Sequence, residues 1–394
     1  MRRIAAKYVY VLDGPDPIRN GFVEIEDDGT VTSVGESPDV AAEPYYWDGA
    51  IVPGFVNAHC HVELSHLKGR FARGSGMAGF IDQINALRDS STREEKIRRL
   101  SDEMDRMWKA GVSAMADISN CNDSFAVKAD SPLYTRTFIE VFGTEPEDCS
   151  DVISGAVRLR HEAVCYGLDA SITPHACYTM SPELVTAAAA EGLATGYLSY
   201  HSQESAQEEE MIAYGRGEMY ENRRRAGMST PPVTGRPSLM YFMDRLQKVH
   251  RSPFDEHILL VHNVCLTEEA ARAALEVMNN VFWAVCPLSN LFIHNALPPV
   301  DMMRRLGLDI CVGTDSLSSN DKLDMVSEIL CLQQNFTVAT GEILTWACLN
   351  GARFLGKENE LGSLLPGKRP GIAGISNVDE AGRLTPDSSS LRLA

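Results

Sequence analysis

Residues 51–69 read IVPGFVNAHCHVELSHLKG, an apolar, β-branched run that ends in His59-Cys60-His61. A short apolar run followed by polar residues reads as a strand buried on both faces, the kind that makes parallel sheets. In an extended segment residues i and i+2 share a face, so the imidazoles of His59 and His61 can point together. The expected strand covers Ile51–Ala58.

Downstream, seven more β-branched runs follow, at Val112–Ile118, Tyr134–Phe142, Leu168–Thr173, Tyr197–Tyr200, Ile258–Val261, Val281–Val285 and Ile310–Val312. Helical periodicity fills much of the space between them, over Arg93–Lys109, Asp151–Tyr166, Pro182–Glu191, Glu268–Met278, Asp301–Leu306 and Leu323–Phe336. This alternation predicts an α/β fold, a (β/α)8 TIM barrel over residues 51–360. Upstream, YVYVLDG and FVEIEDDGTVTSVG read as strands joined by tight turns. After residue 361, PGKRPGIAGISNVD and GRLTP read the same way. The ends, 1–50 and 361–394, are therefore expected to meet in one small composite β-sandwich domain. The irregular stretch from Glu204 to Phe254 reads as a surface segment with a charged helix, or as a lid over the barrel mouth.

Composition narrows the classes. The 394 residues are 44% hydrophobic, enough for a large core, and carry 36 Lys+Arg against 54 Asp+Glu. A net charge of -18 with no basic patch speaks against a nucleic-acid partner. No apolar run is long enough for a membrane span. The start, MRRIAAKYVYVLDG, lacks a continuous apolar core of the signal-peptide kind. The ten cysteines include no C-x-x-C pair, which suits buried thiols in a reducing, cytoplasmic setting.

The polar residues of interest sit just past strand ends. His59 and His61 follow the first, His175 the fourth, His201 the fifth, His262 the sixth and Asp315 the eighth. In such a barrel these ends converge on one mouth, so five of ten histidines point towards one volume. Imidazoles from His59, His61 and His201 with the Asp315 carboxylate make a nitrogen-and-oxygen shell. That shell suits Zn2+, and Fe2+ nearly as well.

PGFVNAHCHVELSHLKG, HSQES, VHN, CPLSN and GTDSLSSN occur in the order and spacing of the amidohydrolase superfamily. The set most resembles its branch of cytosine-deaminase, adenosine-type-deaminase and chlorohydrolase-like enzymes, over essentially the whole chain. The HCHVELSHLKG segment is similar to aminodeoxyfutalosine-deaminase-like enzymes. The resemblance implies one divalent metal ion on His59, His61, His201 and Asp315. It implies Glu204, in H-x-x-E with His201, as the proton shuttle, and His262 as the group that orients the attacking hydroxide. It further implies His175 as a substrate contact. Two-metal members carry a carboxylated lysine after the fourth strand, where this chain has ITPHA. In this chemistry Asp315 acts as base and Glu204 as acid, two carboxylates in different environments dividing the work.

Weaker signals accompany these. Gly74-Ser75-Gly76-Met77-Ala78-Gly79 fits G-x-G-x-x-G but does not follow a strand directly, so it reads as a loop near the substrate rather than a dinucleotide site. His61-Val62-Glu63 fits the H-x-E of another zinc-deaminase class, which also needs a downstream P-C-x-x-C that is absent. Glu63 and Arg136 are expected substrate contacts, with support of the site or ion pairing as the plainer alternatives; Glu140 lies nearer the end of the third strand. Ser289 and Asn290, after the seventh, are expected to order the loop, with substrate contact as the alternative. His66, His161, His250, His257 and His294 read as structural.

The function expected is hydrolytic deamination of an amino-substituted N-heterocycle, an adenine-type nucleoside or base among the candidates. Alternatives are the same machinery cleaving a ring amide or a carbon–halogen bond, and a non-catalytic barrel protein, against which the intact ligand set argues. The partner expected is a small heterocycle, with no membrane and no nucleic acid; homo-oligomers are common among similar proteins.

Overall fold

The computed structural model describes residues 1–39, 43 and 45–394. Both chain ends contribute to one six-stranded sheet. Its strands are β1 (Arg2–Val9), β2 (Ile18–Ile25), β3 (Val31–Glu36), β4 (Tyr46–Pro53), β13 (Ile372–Val378) and β14 (Leu384–Arg392), ordered β14-β13-β4-β1-β2-β3. The remaining eight strands are parallel to their paired neighbours: β5 (Phe55–Cys60), β6 (Val112–Ser119), β7 (Tyr134–Val141), β8 (Asp169–Pro174), β9 (Tyr197–Ser202), β10 (Phe254–His262), β11 (Met278–Val285) and β12 (Asp309–Val312). Among the described residues no helix is long and apolar enough to cross a membrane, and all ten cysteines are free.

The strand expected at Ile51–Ala58 divides at Gly54. Ile51 and Val52 pair with β13 and belong to the terminal sheet, whereas Phe55 starts the barrel beside Val112. Gly54 is required at the junction: a Cβ there would stand 1.9 Å from Ser113 Oγ and 2.5 Å from the Pro370 carbonyl oxygen. The other seven strands lie where the β-branched runs predict, within a few residues at their ends.

The barrel strands form two four-stranded arcs, β5-β6-β7-β8 and β12-β11-β10-β9. One seam is closed by the bridge between Cys60 and Asp315, where the amides of Thr314 and Asp315 both donate to the His59 carbonyl at 3.0 and 3.1 Å. At the other seam the His201 amide donates to the His175 carbonyl at 3.0 Å, and the Thr173 hydroxyl bridges to the backbone of Ser199. Closure brings His59 and Asp315 together at one seam, and His175 and His201 at the other.

Two layers of apolar side chains hold the barrel. Val56, Ala58, Ala116, Phe138, Leu259 and Ala284 pack together inside it. Phe55, Cys60, Val112 and Met115 join the larger cluster shared with the outer helices. Strict alternation along β5 would put His59 with Cys60's outward neighbours. The β5–β6 register instead shifts between Asn57 and Cys60, and this bulge turns His59 and His61 both to the inner face.

The segment after Glu204 is more regular than its composition suggests, with helices at Ala206–Tyr214, Glu218–Arg225 and Ser238–Val249. Beyond Glu204 it supplies no residue to the wall of the cavity at the mouth. One side of that wall comes from the chain after β5, a turn at Val62–Leu67 and a helix at Gly76–Leu87, and the rest from β7 and β9 and from the chain after β6, β7, β8, β9 and β12. The G-x-G-x-x-G stretch opens this second helix.

Candidate functional site

The cavity at the C-terminal ends of the strands has an empty volume of about 790 Å3, mouth included. At its floor, Nε2 of His59 lies 3.1 Å from Nε2 of His61. His201 completes a group whose three ligand atoms all lie within 4.8 Å of one another. Asp315 Oδ1 stands 3.6 Å from His61 Nε2 and 3.9 Å from His59 Nε2. Zn–N bonds of about 2.0–2.1 Å in a tetrahedral shell hold their nitrogens roughly 3.3 Å apart, so this donor set fits a divalent ion.

The protonation states agree with that fit. Burial holds the imidazoles of His59, His61 and His175 below their usual range, and takes His201 down to about 4 with help from His262 and His61. Neutral imidazole is the form that binds a metal. Nδ1 of His201 lies 3.1 Å from the His175 carbonyl, which can only accept, so the proton sits on Nδ1 and Nε2 keeps its lone pair. Burial alone would raise Asp315, but His61, His262 and the Ser289 hydroxyl outweigh it and hold its carboxyl low. Asp315 Oδ2 takes hydrogen bonds from Ser289 at 2.6 Å and Ser319 at 3.0 Å, leaving Oδ1 for the imidazoles.

Local backbone geometry explains why these residues sit at strand ends. Gln203, His262, Asn263 and Asp315 all have positive φ, from 48° to 75°, in the left-handed region that non-glycine residues seldom adopt. The chain turns sharply there and leaves each functional side chain facing the mouth. Gly313, just before Asp315, lets β12 approach β5, since a Cβ at Gly313 would lie 2.8 Å from His59 Cβ.

Beside the imidazoles sits an acid–base pair. Glu204 Oε1 lies 3.6 Å from His262 Nε2 and 3.8 Å from His294 Nε2, while Tyr178 Oη donates to its other oxygen at 2.8 Å. Burial would raise the Glu204 carboxyl, but the His262 and His294 imidazoles hold it well below the usual range. The Glu204 amide donates to buried Glu208 at 2.8 Å, which fixes the turn after β9. His175 lines the cavity with its ring stacked on His201, centroids 4.5 Å apart.

Two expected residues lie elsewhere. Glu63 is turned into the loop after β6, where its carboxylate accepts from the amides of Asn120 and Cys121 and from Ser124 Oγ. Arg136 is near the start of β7, at the opposite end of the barrel from the mouth. Its guanidinium covers the Tyr197 ring at 3.5 Å, approaches Asp169 and bonds Ser171. His294, which reads as structural in the sequence, instead faces Glu204; Tyr178 carries no signal in the sequence beyond its place in TPHACYTMS, three residues past His175. Glu140 does reach the cavity, with Oε1 3.5 Å from His201 Nδ1, and burial pushes its carboxyl up to about 8.

Comparison with known proteins gives a consistent picture. A family model described as the amidohydrolase family matches residues 50–376. A 5-methylthioadenosine/S-adenosylhomocysteine deaminase of Moorella thermoacetica is 28% identical over 336 residues, covering 82% of this chain and 72% of that protein. The fold resembles Helicobacter pylori aminofutalosine deaminase in complex with methylthio-coformycin, with a TM-score of 0.79 at 20% identity, over 98% of this chain and 94% of that one. It also resembles the atrazine chlorohydrolase of Arthrobacter aurescens complexed with zinc, with a TM-score of 0.72 at 17% identity, over 98% and 90% of the two chains.

Proposed function

The chain belongs to the amidohydrolase family, and from that premise we propose that it is a metal-dependent aminohydrolase that removes the exocyclic amine of an adenine-type heterocycle. The observation that carries the reading is the convergence of His59, His61, His201 and Asp315 on one point beside the Glu204–His262 pair. The similarity to a methylthioadenosine-type deaminase supports the adenine-like substrate.

His59, His61, His201 and Asp315 would hold one divalent ion, Zn2+ in preference to Fe2+, as the zinc in the chlorohydrolase neighbour supports. When bound, such an ion lowers the pKa of water to about 7 and so makes hydroxide available at neutral pH. Asp315 Oδ1 takes a proton from the attacking water. Glu204, ionised at rest, takes up the other proton of that water and delivers it to the ring nitrogen next to the amine-bearing carbon, and later relays the proton held by Asp315 to the departing amine. His262 steadies the negative charge of Glu204 and of the incoming oxygen. His175 and the apolar wall hold the ring and keep bulk water out. The balance is hydrolytic: one water enters, the carbon–nitrogen bond breaks, and ammonia leaves as the ring carbon gains oxygen.

In the same proposal the chain from Phe55 to residue 360 forms the catalytic barrel, and the segment up to Pro53, three residues longer than expected, forms a separate structural unit with 361–394. The ten unpaired cysteines support a cytoplasmic setting. A second reading, hydrolysis of a carbon–halogen bond, is supported by the chlorohydrolase neighbour. Incubating the metal-loaded protein with adenine-type nucleosides and with chlorotriazines distinguishes the two: ammonia release supports deamination, and chloride release without ammonia overturns it.

A further inference from the structure

A second cavity lies between the turn at Val62–Leu67, the helix at Arg93–Lys109 and the segment that follows Asp315. Its empty volume is about 1140 Å3, mouth included, and it shares no lining residue with the cavity at the barrel mouth. Arg99, Glu103 and Arg106 reach it from one stripe of that helix, at i, i+4 and i+7. Lys68 enters from the end of the turn, and Lys322 and Asp324 from the segment leading to the helix at Met325–Asn335.

Both carboxylates of this cavity are already engaged. Glu103 is buried, pairs with Arg106 and lies 3.7 Å from Lys68 Nζ. Asp324 is turned to the helix it starts, where it accepts from the Ser327 amide at 3.2 Å and from the Ser327 hydroxyl. Among the described residues no carboxylate lies within 4.0 Å of the charged nitrogens of Arg99 or Lys322, and both side chains are exposed. His66 also lines the cavity, with Nδ1 3.1 Å from the Glu63 carbonyl and Nε2 3.0 Å from the Arg88 carbonyl. Burial holds its imidazole below the usual range, so it brings no charge at neutral pH. Four cations against two engaged carboxylates leave the wall two positive charges in excess, in a chain of net charge -18. Such a local reversal of sign draws anions into the concavity.

We propose that this cavity binds a phosphate dianion, either free phosphate or the head of a phosphomonoester. Two unbalanced positive charges match a dianion, and guanidinium forks beside lysine ammonium groups meet phosphate oxygens from several sides. Occupancy here does not depend on the reaction carried out at the barrel mouth. The two places are nevertheless joined through the backbone. Leu64 of the turn, and Ser316 and Ser318 of the segment after Asp315, line the mouth cavity, while Lys68 and Lys322 of the same two stretches line this one. A bound dianion therefore ties together the two segments that carry His61 and Asp315.

The test is calorimetry on the full chain with inorganic phosphate and with ribose 5-phosphate, at about pH 8 where both are dianions, with ionic strength held constant by chloride. Wild type is compared with Arg99→Gln/Lys322→Gln and with Arg98→Gln/Lys109→Gln, which removes the same charge from exposed positions outside the cavity. The expected result is saturable binding by wild type, weakened about tenfold or more in Arg99→Gln/Lys322→Gln and changed by less than about twofold in the other double variant. Tighter binding of ribose 5-phosphate assigns the site to phosphomonoesters, and tighter binding of inorganic phosphate assigns it to the free ion. On saturation, amide hydrogen exchange should slow in residues 62–68 and 320–324. No saturable binding of either compound, equal weakening in both double variants, or exchange protection confined to other segments overturns the proposal.

Discussion

The amide nitrogen of the Asn290 side chain lies 3.0 Å from Nδ1 of His262. An amide nitrogen only donates, so Nδ1 accepts and the His262 proton resides on Nε2. Nε2 is the atom that faces Glu204 Oε1 at 3.6 Å. The helix after β11, Pro287–His294, and not a loop as expected, thus sets which way the histidine that ends β10 presents its proton to the carboxylate after β9.

Replacing Asn290 tests that arrangement. Asn290→Ala should lower kcat by about 10–100-fold, the usual scale for a residue that orients a catalytic or metal-bound histidine. Metal content should stay at the wild-type level. Asn290→Asp offers an acceptor to Nδ1 and should do at least as much harm. Steady-state ammonia release beside metal analysis checks both, and wild-type kcat in either variant would contradict the tautomer assignment.

Gly313 should tolerate no side chain. A Cβ there would meet His59 Cβ at 2.8 Å and the His59 backbone nitrogen and oxygen at 2.9 Å, atoms that cannot swing away. Gly313→Ala should cost about 1–3 kcal/mol in urea unfolding and weaken metal binding together, because the intrusion displaces a ligand. Loss of stability with undiminished metal affinity would argue that His59 is not held by this seam.

These two sites show what the sequence could and could not reveal. His59, His61, His201, His262 and Asp315 were legible because each directly follows an apolar run, and a barrel gathers such ends at one mouth. Depth along a strand was less legible. Arg136 is two residues into β7, and so lies at the far end from the mouth, although its strand also carries Glu140, which does reach the cavity. Glu63 follows the ligands closely, yet the turn at Val62–Leu67 directs it away, a matter of local dihedrals that residue type does not encode. The bulge in β5 and the contact of His294 with Glu204 arise from tertiary packing, and no periodicity signals either.

The ion pair of Lys128 and Asp117, 2.6 Å apart with both side chains fully buried, anchors the segment that follows the first two imidazoles. Asp117 Oδ1 accepts from the Val62 amide at 2.9 Å, immediately after His61. Lys128→Met leaves Asp117 as an unpaired buried charge and should destabilise the protein by about 3–5 kcal/mol. Adding Asp117→Asn should recover part of that loss. Urea unfolding of the single and double variants checks it; an additive double variant would show that the two groups do not act as a pair.

Glu328 supplies a pH dependence. Its carboxyl is buried and accepts from the Leu288 amide and the Asn320 side chain, and burial pushes it well above 4.5. The folded state then holds a proton that the unfolded state has released, so this group favours folding fully below about pH 4.5 and progressively less as pH rises. Stability of the wild type should therefore fall more steeply than that of Glu328→Gln as pH rises above about 4.5. Parallel slopes for the two proteins in urea unfolding at several pH values would contradict this.

Metal stoichiometry tests the central claim most directly. Wild-type protein and the His59→Ala/His61→Ala variant, each loaded with Zn2+, dialysed and analysed by mass spectrometry for metal, should differ sharply. About one equivalent of zinc per wild-type chain is expected, and close to none in the folded variant. A wild-type chain that retains no ion, or a variant that still holds a full equivalent, would contradict it.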